Sequence, residues 1–353
     1  MISAITVLIV FSVLILIHEL GHFVMAKRMK VKVEKFSFGF GPKLFSFKGK
    51  ETEYLICAIP LGGYVKMAGD DPALAREGKD WEYLSKPIIK RFGIVVAGPL
   101  TNYLLAFLLF SLIFILGAPT FTTEIGKVIK DFPAYSAGIR EADKIVSVNG
   151  KEVKYWDDLL SEITKAPSGE PMDVVLLRKD KTIRIRLTPK VITTKNIFNQ
   201  TIKIGKLGIA PADKIIALKV SPVQAFYLGA RKTLAITAFT YKALWHMATG
   251  GMPVKESLTG PIGIAAAIGN AAKMGMIYLI DITAQINLAI AIFNLLPFPV
   301  LDGGHVLFLL IEKIRKKPLS PKVEQVITQI AISLLIALAV FISWNDIAKF
   351  VIR

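Results

Sequence analysis

Four stretches of this chain, residues 1–17, 92–123, 282–301 and 325–345, contain no Asp, Glu, Lys or Arg. Charge-free apolar runs of this length read as membrane-spanning helices, because a soluble fold of ordinary size has no interior that could swallow them all. Composition agrees. The chain is 53% hydrophobic and 20% charged, against about 45–50% and about 25% in soluble domains. Such a chain buries too much apolar surface to be disordered. Its single cysteine, Cys57, forms no internal bridge, which excludes a disulfide-stapled secreted scaffold.

The formal net charge of +17 could suggest a nucleic-acid partner, but its distribution favours a membrane. Residues 27–91 hold 14 Lys/Arg against 8 Asp/Glu. Lys313, Arg315, Lys316, Lys317 and Lys322 follow the third apolar run. Basic excess beside spans marks the cytoplasmic side. The first run carries its charge after the apolar core and lacks a small-residue cleavage site, so it reads as a retained span rather than a signal peptide. The expected spans are Ile2–Ala26, Phe92–Leu116, Tyr278–Leu301 and Val326–Trp344. Four crossings put both basic segments inside, in agreement with the charge rule.

Between the spans lie two different kinds of sequence. Residues 32–67 alternate in character and carry glycines, as strands and tight turns do. This predicts a small sheet, either a folded cytoplasmic loop or one dipping into the membrane where protein or water covers its backbone. Residues 120–190 read as strands and short helices, with an Asn149-Gly150 hairpin turn. Ser136-Ala137-Gly138-Ile139, followed by Asp143-Lys144-Ile145 and Asn149-Gly150, resembles a PDZ domain of the circularly permuted kind found in bacterial proteases. Such a resemblance implies binding of a peptide along an exposed sheet edge. Residues 191–220 read as extended chain, and 222–248 as an amphipathic helix.

The chemistry starts at His18-Glu19-Leu20-Gly21-His22. On a helix, histidines four apart share a face and can hold one metal ion, with Glu19 beside them to take a proton from water. Ionisable groups on an apolar span are expensive unless they serve a purpose. Two histidines leave a catalytic zinc site one protein ligand short. The strongest candidate for the third is Asp302, in Asn294-Leu295-Leu296-Pro297-Phe298-Pro299-Val300-Leu301-Asp302-Gly303-Gly304-His305. By span parity it arrives at the same membrane depth as His18 and His22. His305 is a second possible ligand on chemistry alone. Asn294 is a candidate amide donor to substrate or to a developing oxyanion.

Together, the HExxH, the N-x-x-P-x-P-x-L-D-G segment from Asn294 to Gly303 and the PDZ-like insert between them resemble the site-2 protease family (peptidase family M50). These are intramembrane zinc metalloproteases, and the resemblance is to the bacterial branch that regulates sigma-E signalling, the RseP type. It covers essentially the whole chain. It implies a multi-pass α-helical membrane protein with four transmembrane helices, a membrane-associated β region and an inserted extracytoplasmic PDZ domain. The implied site has one zinc ion per chain on His18, His22 and Asp302, Glu19 activating water, and Asn294 handling substrate. Gly98-Pro99-Leu100-Thr101-Asn102 and Leu258-Thr259-Gly260-Pro261-Ile262-Gly263 match further family segments. Implied partners are single-span membrane proteins, such as anti-sigma factors or remnant signal peptides, along with lipid and a peptide ligand of the PDZ domain, and no nucleic acid. The implied location is a bacterial inner membrane, with a periplasmic insert and an active site near the cytoplasmic face.

The expected divisions are 1–119 (HExxH helix, β region, second span), 120–190 (PDZ), 191–256 (linker and amphipathic helix) and 257–353 (the LDG motif and fourth span). One departure stands out: many enzymes of this type carry two tandem PDZ domains, whereas residues 120–189 have room for one. A zinc transporter would need metal passage and no base at Glu19. A membrane-tethered scaffold would leave both polar motifs idle, and a soluble zincin contradicts the apolar run ahead of the HExxH.

Overall fold

The computed structural model describes residues 2–71, 77–165, 169–253 and 257–350. The chain divides into two compact units. One comprises Met1–Ile113, Phe226–Thr240 and Val254–Arg353, the other Phe114–Ala225 and Tyr241–Pro253. Parts of the expected 120–190 and 191–256 divisions, namely 166–168 and 254–256, lie outside the described residues.

The first unit is helical. Among the described residues four helices are long and apolar enough to cross a membrane: Ala4–Arg28, Ile88–Leu116, Met276–Asn294 and Pro321–Ala348. The first belongs to helix α1 (Ile2–Arg28) and the second is helix α2 (Ile88–Leu116). Val10 and Leu14 of α1 are buried with Ile268 of the Pro261–Met274 helix, and Leu279, Ile282 and Ile286 pack around them. Small residues, Gly21 of α1 and Ala97 and Gly98 of α2, line the α1–α2 contact, the usual means of close helix approach in lipid.

The third span corrects the expectation that it runs to Leu301. Its helix ends at Asn294. Tight turns follow, with Leu296 N donating to Phe293 O (3.0 Å) and Leu301 N to Phe298 O (2.9 Å). A separate helix then opens at Asp302 and runs to Arg315. Pro297 and Pro299 have no N–H to donate and push the residues before them out of helical geometry. The apolar run continues through the break, so composition alone reads it as one span.

Strands β1 (Val33–Lys48) and β2 (Glu53–Met67) form the expected small sheet. It is strongly bent. Phe36–Phe38 faces Tyr54–Ile56 on one side and Gly63–Val65 on the other. The Gly63–Met67 run is therefore an edge, with no second neighbour among the described residues.

The second unit is a conventional β structure. Its four-stranded sheet orders Lys151–Glu152, Lys144–Val148, Met172–Arg178 and Lys181–Leu187 as antiparallel neighbours. Asn149 and Gly150 both take positive φ (48° and 78°), the requirement of a two-residue hairpin turn whose twist matches its strands. The Trp156–Lys165 helix buries Trp156, Leu159 and Ile163, spaced to share one face. They pack on Ile145, Val148, Met172, Val174 and Leu176 in one apolar core. The stretch 191–220, expected as extended chain, holds strands that pair: Lys190–Lys195 with Thr201–Lys206, Ile209–Pro211 with Ile125–Val128, and Ile215–Leu218 with Ala118–Phe121.

Candidate active site

His18 and His22 lie one helical turn apart on α1, and Asp302 is the first residue of its helix. The three side chains converge. His18 Nε2 is 3.2 Å from His22 Nε2 and 3.1 Å from Asp302 Oδ2, and His22 Nε2 is 3.5 Å from Asp302 Oδ1. All three groups are largely buried, with side chains 11%, 12% and 17% exposed. Among the described residues Asp302 Oδ2 accepts no hydrogen bond despite its burial.

These atoms fit a zinc ion. Zn–N and Zn–O bonds of about 2.0–2.1 Å at a tetrahedral angle place ligand atoms roughly 3.3 Å apart, close to the three separations found. His22 Nδ1 lies 2.9 Å from Ile94 O of α2. A carbonyl only accepts, so Nδ1 carries the proton and Nε2 presents its lone pair to the centre. A ligand histidine held this way is the usual arrangement around metals. A carboxylate facing the His22 lone pair is unfavourable without a cation between them, and a cation removes the conflict.

Helix α2 packs on the histidines at Gly98, where a Cβ would collide with the His22 ring. No larger residue fits between the two helices. Asn102, one turn further along α2, is fully buried and places Nδ2 3.4 Å from His18 Nδ1. The Gly98–Asn102 segment stands out in the sequence as a family match, but that match gives Asn102 no firm role. The signal that could have found it is the every-fourth spacing of Ile94, Gly98 and Asn102, which puts all three on one helix face.

Glu19, Asn294 and His305 line a cavity of about 730 Å³ together with His18, His22 and Asp302. Glu19 presses its stem against β2, its Cγ 3.1 Å from where a Cβ on Gly63 would stand. Asn294 is the last residue of the third span, just before the turns that lead to Asp302. His305 is exposed, stands edge-on to Phe308, and lies outside the three-residue ligand cluster. In the wall of the same cavity Arg91 of α2, which no sequence motif singles out, grips Glu312 with two guanidinium nitrogens. It thereby ties α2 to the helix that carries Asp302.

Two imidazoles on a membrane-length helix and a carboxylate at the start of the short helix that follows another, with a glutamate beside them in a roomy cavity, define an intramembrane metallopeptidase. The comparisons agree. The family model "Peptidase family M50" matches residues 6–338. The regulator of sigma-W protease RasP of Bacillus subtilis is 30% identical over 427 residues, covering 98% of this chain and 98% of its own. The zinc metalloprotease RasP of Geobacillus kaustophilus is 29% identical over 428 residues, covering 99% and 98%. A crystal structure of the PDZ domain of an SdrC-like protein from Listeria monocytogenes covers 27% of this chain and 87% of its own, at 17% identity and a TM-score of 0.19, too low to bear on the fold. The chain belongs to peptidase family M50. It is a zinc metalloendopeptidase and a multi-pass membrane protein.

Proposed function

We propose that this protein cuts peptide bonds within the membrane-spanning segments of single-span membrane proteins, with His18, His22 and Asp302 as the ligands of one zinc ion per chain and Glu19 as general base. The convergence of these three side chains, with Glu19 in the same cavity, carries the reading. Zinc held there supplies Lewis acidity, which acidifies a water molecule and polarises the scissile carbonyl. The Glu19 carboxylate takes a proton as the water oxygen bonds to the carbonyl carbon. It returns that proton to the amide nitrogen as the C–N bond breaks. Asn294 donates its amide N–H to the substrate or to the developing oxyanion.

A transmembrane helix shields its own peptide bonds, so the substrate must be held unwound and water must reach it. The cavity supports the second requirement. The open edge at Gly63–Met67, against which Glu19 lies, supports the first, since an extended segment can pair there as an added strand.

The 120–190 insert is read as a single PDZ domain by its Ser136–Ile139, Asp143–Ile145 and Asn149-Gly150 segments, and its ligand as a peptide terminus or strand. Basic excess beside the first and third spans supports an active site near the cytoplasmic face of an inner membrane, with the insert on the other side. The relative named as a sigma-W regulator supports anti-sigma factors as a substrate class, with remnant signal peptides as a second. The divisions 1–119, 191–256 and 257–353 serve as membrane core, connector and LDG-bearing core.

The test is cleavage of a tagged single-span substrate in membranes, with zinc measured on the same preparations. The intact protein should cut within the span. Glu19→Gln should retain zinc and lose at least about a thousandfold in rate, the scale of removing an essential proton-transfer group. Equal cutting by both would reject Glu19 as base, and zinc passage without cutting would restore the transporter reading.

A further inference from the structure

Helix α2 meets the two histidines with three residues at every-fourth spacing, Ile94, Gly98 and Asn102. Gly98 makes room for the rings, and the Ile94 carbonyl accepts the His22 Nδ1 proton. Asn102 stands in the matching place for His18, yet its contact has the wrong polarity for a ligand. An Nδ2 donor facing Nδ1 would leave the proton of a neutral ring on Nε2, the atom aimed at Asp302 and His22. The contact is long at 3.4 Å, and Asn102 Oδ1 is buried with no donor among the described residues. A half-turn about Cβ–Cγ exchanges the two ends of a carboxamide and cures the polarity and the orphaned oxygen together, giving Oδ1 the His18 Nδ1–H to accept. The neighbouring helix limits other movement, because Asn287 Nδ2 donates to the Asn102 backbone carbonyl at 2.6 Å and both residues are fully buried.

We propose that Asn102 is a positioning residue of the metal centre: its Oδ1 accepts from His18 Nδ1–H, fixing the tautomer that leaves Nε2 free to bind zinc. Helix α2 then holds both histidines by the same device, a carbonyl for His22 and a carboxamide for His18. The inference rests on the reading of His18 as a ligand.

The experiment measures zinc affinity of the full chain by competition with a chelator, independently of proteolysis. Asn102→Leu, which keeps the shape and removes the acceptor, should weaken zinc about 10–100-fold, the usual effect of losing an outer partner. Asn102→Asp, an acceptor with no N–H, should stay within about threefold of the intact protein. Wild-type affinity in Asn102→Leu overturns the proposal, and so does an equal loss in Asn102→Asp, which would mean that the amide donates. Should the variants fail to fold, the metal-free intact chain decides through the nitrogen NMR shifts of its histidines. An Nδ1–H tautomer at His18 is expected there, and an Nε2–H tautomer overturns the proposal. His18→Ala separates the two levels: it must lose zinc. If it binds as tightly as the intact protein, the ligand assignment itself falls, and the role of Asn102 with it.

Discussion

The two units solve opposite packing problems. In the insert the core is an apolar cluster around Ile145, Leu159, Met172 and Leu176, and its one buried carboxylate among the described residues, Asp143, is paired with a partly exposed Arg178. In the membrane unit large apolar side chains such as Leu100, Leu104, Ile330 and Leu334 face outward, while Arg91, Asn102, Asn287 and Asp346 are buried. Lipid reverses the cost of exposure. An outward leucine costs nothing there, and helices are held together by close approach of small residues and by polar contacts. Specificity of assembly therefore sits more in buried polar groups in one unit and more in apolar jigsaw fit in the other.

That contrast can be broken. The largest effect is expected from Gly98→Ala, whose added carbon strikes the His22 ring. Zinc affinity should fall by more than about a hundredfold, beyond the loss of one outer partner, while the insert's unfolding is unmoved. Normal zinc affinity in the Gly98→Ala protein would mean that the helices have room to part. Next is Arg91→Leu, which strands Glu312 without its partner and should cost about 3–5 kcal/mol. Adding Glu312→Leu should recover most of it in denaturant titrations, and no recovery would show that Arg91 matters for something other than this pair.

In the insert, Leu176→Ala should cost about 2–4 kcal/mol, as a fully buried leucine does, and leave zinc binding untouched. A change in zinc affinity would blur the separation of the units. The smallest effect concerns Asp143. Burial alone would raise its pKa, but Arg178 clasps it with Nε and Nη2 (both 2.7 Å) and the Arg140 N–H adds a bond, holding it below the ordinary carboxylate value. Its stabilisation is complete above the unfolded value of about 3.9 and is lost as the pH falls through the lower folded one. Urea midpoints of the intact protein and of Asp143→Asn should differ near neutrality and converge below that range. Parallel curves would refute the assignment.

Much of this was legible in the sequence, for physical reasons. Lipid demands long stretches without charge, so all four spans announce themselves. A histidine pair on such a stretch is too costly to be idle, so His18, His22 and Asp302 stand out although 284 residues separate the first from the last. The hairpin turn at Asn149-Gly150 follows from glycine and asparagine tolerating positive φ. What stayed hidden depends on register between helices. Nothing local says that Arg91 faces Glu312, or that Ile94 and Asn102 bracket two rings on another helix. The end of the third span at Asn294 was obscured because the residues after it remain apolar while the prolines change only the backbone.

Asp346, near the end of the fourth helix, accepts from the backbone N–H groups of Gly260 (3.1 Å) and Gly263 (2.9 Å). Gly260 begins the Pro261–Met274 helix and offers no side chain to cap it. That helix, which packs on α1, thus receives its cap from a residue 86 positions downstream. Chains are made from the N-terminus, so this cap is missing until the ribosome has nearly finished the fourth span. Chains cut short before residue 346 should therefore leave the Pro261 segment open to proteases, whereas the full chain should protect it.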